Sequence, residues 1–318
     1  MLCRTANELY WMARHIERAE NTARLLDVTY RMSLLPYEAV EPGLAWAQPW
    51  ALPLITSGLA TAFYQRFSQL SAENVLRFMV LDSANASSIY CCLRSARESA
   101  RSVRGAITSE MYEDLNSSWL EMRRQDYDRI QGSGVSEFLE WVKMRSHLFR
   151  GVTFGTMLRD EAYHFIRLGT HLERADNTAR ILDVKYHTLL PSAADVGGAV
   201  DYYQWGALLR SVSGFESYRK IYSDVITPRR VAELLVLRED MPRSLHACLN
   251  LIHETLEVLC DANSREIERA AGELHARLHY GKTDDIIRLG LHEYLMEFLD
   301  RISALSAEIN SHFLVPMY

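Results

Sequence analysis

Two Glu-Arg dipeptides and one ladder of arginines carry most of the chemistry this sequence offers. Glu17-Arg18 and Glu173-Arg174 stand in the same setting, His-x-Glu-Arg-Ala-x-Asn-Thr-Ala-Arg-x-Leu-Asp-Val. A glutamate supplies a carboxylate that accepts hydrogen bonds. An arginine supplies a permanent cation whose planar fork grips carboxylate or phosphate. Glu20, Arg24 and Asp27 follow the first pair, and Asp176, Arg180 and Asp183 the second. These are helical spacings of three and four, so part of the charge can pair locally.

The ladder is Arg94, Arg97, Arg101 and Arg104, spaced three, four and three. On a helix these four fall on one face, where they suit an anionic ligand, an acidic partner surface or a solvated charge stripe. The positions 156 residues later hold Asn250, His253, Glu257 and Cys260, so the ladder has no copy. It is also the nearest visible source of cations for the carboxylates that flank the Glu-Arg helices. The Glu-Arg residues themselves have two readings, a salt-bridge network that fixes helix register and a site that binds a ligand or partner.

Other chemistry finds less support. Glu161-x-x-His164 has the spacing used by di-iron helical bundles, but such sites need a second copy, and the corresponding positions are Thr5 and Glu8. No metal site is expected. Cys91 and Cys92 lie in or beside an apolar seam, and Cys248 repeats Cys92, as small core residues would. Neither a phosphate-binding glycine loop nor a nucleophile triad can be singled out, so no cofactor and no catalytic residue are assigned.

The elements that position these groups are helices. Leu9, Met12, Ile16, Ala19, Ala23, Leu26 and Tyr30 form one continuous apolar seam, and Phe165, Leu168, Leu172, Ala175, Ala179, Leu182 and Tyr186 form a second. Alanines at the centre of each seam let a neighbouring helix approach closely. On a helical wheel Glu17, Glu20, Arg24 and Asp27 lie on one edge of the seam, with Arg18 and Arg174 turned to the other side. Thr5-x-x-Glu8 reads as a capping box that starts the first helix, and Pro36 as its stop.

At an offset of 156, His15 to Tyr30 and His171 to Tyr186 agree at 12 of 16 positions. That predicts an all-α, internally duplicated bundle of two pseudo-twofold repeats, 1–156 and 157–318, with the Glu-Arg helices near the contact between them. Helices are expected near 5–35, 51–69, 73–105 with a break at Ser83, 109–130, 136–150, 160–190, 204–222, 229–238, 242–280 and 284–313. Gly151-x-x-x-Gly155 reads as a close-packing spot or a joint. Tyr202, Tyr203, Trp205 and Trp46 read as core anchors or partner contacts.

Composition bounds the rest. The 318 residues are 48% hydrophobic and 24% charged, the balance of a globular protein. A formal charge of -6 gives no global positive field to draw the chain to nucleic acid or an anionic membrane. Five cysteines without disulfide-like spacing, no leader-like N-terminus and no apolar run of membrane-spanning length together predict a cytoplasmic protein.

With both Glu-Arg segments, Ala96-Arg97-Glu98-Ser99-Ala100-Arg101, Ser109-Glu110-Met111-Tyr112-Glu113, Leu115-Asn116 and Gly155-Thr156-Met157-Leu158-Arg159-Asp160-Glu161, the chain resembles the bacterial alpha-E family over nearly its whole length. Tyr112 stands where that family often has tryptophan, and Ser99 where it often has asparagine. The resemblance implies an association with circularly permuted ATP-grasp proteins and transglutaminase-like proteins. The implied setting is amide or peptide formation or modification. The expected function is an accessory binding partner in such a pathway. The alternatives are an enzyme of one of its steps, using a Glu/Arg/His site, and a metal-binding bundle.

Overall fold

The computed structural model describes residues 1–34, 49–188 and 199–315. Among them every regular element is helical and none is a strand. The chain runs through α1 (Cys3–Ser33), a 3-10 turn (Pro49–Ala51), α2 (Leu52–Thr56), α3 (Ala60–Tyr64) and α4 (Ala72–Leu76), which continues into a π-helical turn (Arg77–Leu81). Then come α5 (Ile89–Ser102), α6 (Ser109–Met122), α7 (Tyr127–Ser133), α8 (Val135–Thr156) and α9 (Glu161–Thr188). The remainder is α10 (Ala199–Ser211), α11 (Phe215–Tyr222), α12 (Pro228–Ala232) with a second π turn (Glu233–Leu237), α13 (Leu245–Leu259), α14 (Arg265–His279), α15 (Thr283–Leu289) and α16 (Leu291–Ile309), which runs into a third π turn (Asn310–Leu314). No described helix is long and apolar enough to cross a membrane.

The two longest helices, α1 and α9, pack on each other at the centre, with α5 and α8 against α1 and α13 and α16 against α9. Their seams explain the arrangement. Leu9, Met12, Ala23 and Leu26 are fully buried, as are Leu168, Ala175, Ala179 and Leu182, in one continuous core. Burial of each such leucine contributes roughly 1.5–3 kcal/mol. Small residues set the helix separation. A Cβ on Gly169 would lie 2.3 Å from the carbonyl oxygen of Tyr10, so only glycine permits this approach of α9 to α1. Gly151 and Gly155 do not have that role, because a Cβ on either would meet open space.

Several expected boundaries shift for local reasons. Helix α1 starts at Cys3, ahead of Thr5, and its N-cap Leu2 has no side-chain bond, so the Thr5/Glu8 capping box does not form. The segment 51–69 breaks at Gly58, whose φ of +68° ends α2 in the left-handed region. The break expected near Ser83 within 73–105 does occur, as a loop that Ser88 closes by donating from Oγ to the Asp82 carbonyl at 2.7 Å. Cys260 to Ser264 likewise separates α13 from α14. Pro36, Trp46, the Pro191–Gly198 stretch and the Tyr186 side chain lie outside the described residues.

Candidate functional site

The central crossing brings the two Glu-Arg pairs together. Arg174 donates to Glu17 from Nε at 2.9 Å and from Nη2 at 2.8 Å. Reciprocally, Arg18 donates to Glu173 from Nε at 2.5 Å and from Nη2 at 2.9 Å. Each is a bidentate, charge-assisted pair across two helices. Arg18 and Arg174 are therefore not turned away from the carboxylates. The seam is narrow enough that residues on both of its edges reach the facing helix.

On one side of this crossing the charges fill a closed network. Arg243, in the loop before α13, reaches over α1 to Glu17 (3.0 Å), Glu20 (2.5 Å) and Asn21 Oδ1 (3.0 Å). From α8, Arg150 pairs with both Glu17 and Glu20, and Ser146 donates to Glu20 at 2.6 Å. Arg24 pairs with Glu20 and donates to Ser213. Burial alone would push the Glu17 carboxyl up, but Arg174 and Arg243 overcome it and hold the group at about 2. Burial likewise opposes ionisation of Glu20, and Arg243, Arg150 and Arg24 hold it well below the ordinary range. Such a network is costly to break and rigidifies the crossing.

The other side is open. A cavity of about 420 Å³ lies between α1, α9 and α16, lined by Arg14, Arg18, Glu173, Asp176, Arg180 and Asn21, among others. Position by position, at the 156-residue offset, it is the counterpart of the closed network. Glu173, Asp176, Asn177 and Arg180 stand where Glu17, Glu20, Asn21 and Arg24 stand. The two arginines that plug the closed side, Arg243 and Arg150, correspond to Ser87 and Ser306, and both serines line the cavity. Small hydroxyls in place of two long guanidinium side chains leave the space.

Three guanidinium groups and two carboxylates face this cavity. Arg14 and Arg18 both hold Glu173; burial would raise its pKa, yet Arg18 and Arg14 together lower it. Arg180 chelates Asp176 from Nε and Nη2 at 2.8 and 3.0 Å. The Nη1 atoms of Arg18 and Arg180 stand outside these pairs, and the Asn21 Nδ2 is buried without a partner. Arg18 and Arg180 thus keep charged donors beside the cavity, which can receive an oxyanion.

The ladder is elsewhere. Arg94, Arg97 and Arg101 lie along α5 and Arg104 in the short 3-10 turn after it, exposed except for the half-buried Arg97, and none of the four lines the cavity or touches Glu17 or Glu20. Arg97 pairs with Glu98 and donates to Asn116, Arg101 pairs with Glu98, Arg94 lies over Tyr90, and Arg104 stacks 4.0 Å above Tyr112. The cations that satisfy the central carboxylates come instead from α1, α8, α9 and the loop before α13. Glu161 pairs with the N-terminal amine. Burial pushes the Cys92 and Cys248 thiols up to about 12, consistent with inert core positions. Trp205 is buried, while Tyr202 and Tyr203 are exposed.

Sequence reasoning missed Arg14, Arg150, Arg243, Ser87 and Ser306. The available signal was a pair of arginines whose offset partners are serines, which marks where two otherwise matching environments must differ in volume and charge.

Residues 1–314 match a family described as Alpha-E, a predicted alpha-helical domain with a conserved ER motif. Similar curated proteins are uncharacterized proteins of Mycobacterium bovis and of two strains of Mycobacterium tuberculosis, each 24% identical over 321 residues. The alignment covers 95% of this chain and 35% of each relative, so the chain spans about a third of their length. No solved structure matches the chain.

Proposed function

The chain belongs to the Alpha-E family, and on that premise we propose that it is a binding protein that holds a small carboxylate- or phosphate-bearing molecule between its two Glu-Arg helices. It does so as an accessory partner of a circularly permuted ATP-grasp protein, a transglutaminase-like protein or both, in amide or peptide formation or modification. The observation that carries the reading is the cavity beside Arg18 and Arg180, with donors left over after Glu173 and Asp176 are satisfied.

In this reading the site residues divide by role. Arg18, Arg180 and Glu173 form the ligand wall, while Glu17, Arg24 and Arg174 belong to the rigid frame behind it. Arg94, Arg97, Arg101 and Arg104 form a surface that meets an acidic partner, supported by the exposure of Arg94 and Arg101 on α5 and of Arg104 just after it. Carboxyl activation by an ATP-grasp enzyme produces acyl phosphates, so a site for carboxylate and phosphate oxygens fits a carrier or positioning role in that chemistry.

We further propose that 1–156 and 157–318 are structural repeats about a pseudo-twofold axis. Support comes from elements that start 156 residues apart: Ile89 and Leu245, Tyr127 and Thr283, Val135 and Leu291. Gly134 and Gly290 take φ of 101° and 100° at matching joints, and Ser88 and Ser244 cap matching helices.

The test is calorimetric titration of the full chain with inorganic phosphate, acetyl phosphate and a short acidic peptide. It is repeated on Arg180→Ala, and co-purification with the neighbouring ATP-grasp protein is followed by ATP turnover with and without this chain. Binding that weakens about tenfold or more in Arg180→Ala, with an unchanged melting temperature, supports the site. Equal binding by both forms overturns it. Turnover of a pathway intermediate by the chain alone would make it an enzyme.

A further inference from the structure

A second cluster of side chains lies away from the cavity, where α13 meets α14. His275 and His279 are four residues apart on α14 and so share one face. His246, in the first turn of α13, faces them. Its ring centroid is 5.8 Å from that of His275 and 5.4 Å from that of His279, and the latter two are 5.6 Å apart. One ligand nitrogen from each of the three rings lies within 4.8 Å of the others.

The tautomer of His246 is set by its surroundings. Its Nδ1 is 2.7 Å from the Leu237 carbonyl oxygen, which can only accept, so Nδ1 carries the hydrogen. The lone pair is then on Nε2. That atom is buried and has no hydrogen-bond partner, in a residue only 4% exposed. A buried acceptor left unsatisfied is costly unless something fills its lone pair. A carbonyl on the second ring nitrogen is also how metal-bound histidines are oriented.

The three rings are not a repeat of core packing found elsewhere. The positions 156 residues before His246 and His275 hold Tyr90 and Trp119, whose rings pack at 5.0 Å, and the position before His279 holds Arg123. There the same helix contact is made by a phenol and an indole, neither of which has a ring nitrogen with a lone pair to offer a metal.

We propose that His246, His275 and His279 form a three-histidine site for a divalent late transition metal ion, Zn²⁺ being the natural test ion, with a solvent-facing fourth position. Three imidazole nitrogens suit Zn²⁺, Co²⁺, Ni²⁺ or Cu²⁺ and not Mg²⁺ or Ca²⁺. Coordination at about 2.0–2.1 Å needs the three nitrogens to draw closer, and His275 and His279, being half-buried and exposed, have room to do so. His253, whose ring is 5.1 Å from that of His275, directs Nδ1 toward Glu257 and is outside the triad.

The experiment uses the full chain, purified without a histidine tag and stripped with chelator. Zn²⁺ is titrated calorimetrically, and Co²⁺ is added to read the visible bands of a four-coordinate ion. The expected result is one ion per chain and a raised melting temperature. Affinity should fall by about tenfold or more in His279→Gln and further in His275→Gln/His279→Gln, and hold in His253→Gln. Because the two α14 histidines are not core residues, those variants keep the fold, which circular dichroism verifies. No stoichiometric binding, or equal binding by the double variant, overturns the site. An equal loss in His253→Gln moves it away from the triad and likewise overturns it.

Discussion

Glu17 accepts two hydrogen bonds from Arg174, and Glu173 accepts two from Arg18, so each Glu-Arg dipeptide completes the other across the α1–α9 crossing. The two pairs are alike in geometry and unlike in surroundings. Glu17 also receives Arg243 and Arg150, whereas Glu173 receives Arg14 beside an open cavity. One pair is sealed, and the other has a wall to offer a ligand.

The sealed pair should be the more costly to break. Glu17→Gln leaves three guanidinium groups facing a neutral amide, and removal of one partner from a buried ion pair costs about 3–5 kcal/mol. Glu173→Gln strands two, and the side chain of one of them, Arg18, is 26% exposed and can turn to water. Urea denaturation should therefore show a larger drop in midpoint for Glu17→Gln than for Glu173→Gln. The reverse order would mean that the network is not the mechanical centre of the fold.

Stability should respond to pH in two windows of opposite sign. Glu17 is held at about 2 in the folded chain, below its unfolded value, so its contribution is present above that unfolded value. It is lost as pH falls toward about 2, and Glu20 and Glu173 act in the same direction. Asp114 behaves the other way. Burial, against the pull of Arg145, raises it to about 6, and both its carboxylate oxygens are buried without partners. Its contribution is present below the unfolded value and is lost as pH rises through about 6. Asp114→Asn should thus flatten the decline between about pH 4 and pH 7 and match or exceed the parent at neutral pH, by on the order of 1–3 kcal/mol. Denaturation midpoints from about pH 2 to about pH 7 check both signs.

The helix contact itself can be probed with two glycines. Gly169→Ala places a methyl group 2.3 Å from the Tyr10 carbonyl oxygen, so α1 and α9 must move apart along the crossing that aligns the Glu-Arg pairs. Overpacking of that kind costs about 1–3 kcal/mol or more. Gly155→Ala, on α8 with open space around it, should be neutral or stabilise by up to about 1 kcal/mol through helix propensity. Thermal melts of the two variants should move in opposite directions or differ by several degrees. Equal losses would show that the close approach at Gly169 is not limiting.

These relationships were unequally legible in the sequence. The seam from Leu9 to Leu26 and its counterpart from Phe165 to Leu182 could be read directly, because period-3.6 burial is a local property of the chain. The pairing of Glu17 with Arg174 could not, because wheel position fixes which edge of a helix a residue takes and not which residue of the facing helix it meets. Arg243 was hidden for a related reason. It lies in the loop before α13, at the edge of the helix expected over 242–280 and 226 residues from Glu17, and only the folded chain brings it over α1. The ladder was conspicuous because it is regular, yet regular spacing on one face is also what a solvated helix shows. Here Glu98, Asn116, Tyr90 and Tyr112 take up its guanidinium groups along the surface.

The cavity is best tested by volume, since every charge around it also serves the fold. Ser306, half-buried on α16, lines the space opposite the Glu-Arg wall, and it occupies the position that Arg150 fills on the sealed side. Ser306→Phe adds an aromatic ring there without altering any ion pair of Arg18, Glu173, Asp176 or Arg180. Its direct cost to α16 is small, because serine and phenylalanine differ little in helix propensity. A ligand that uses the cavity should then lose affinity by about tenfold or more while the melting temperature changes by only a few degrees, as calorimetric titration and a thermal melt would report. Unchanged affinity for a ligand large enough to fill the cavity would count against it as the binding site, because the phenyl group takes up part of the space that such a molecule would occupy beside Arg18 and Arg180.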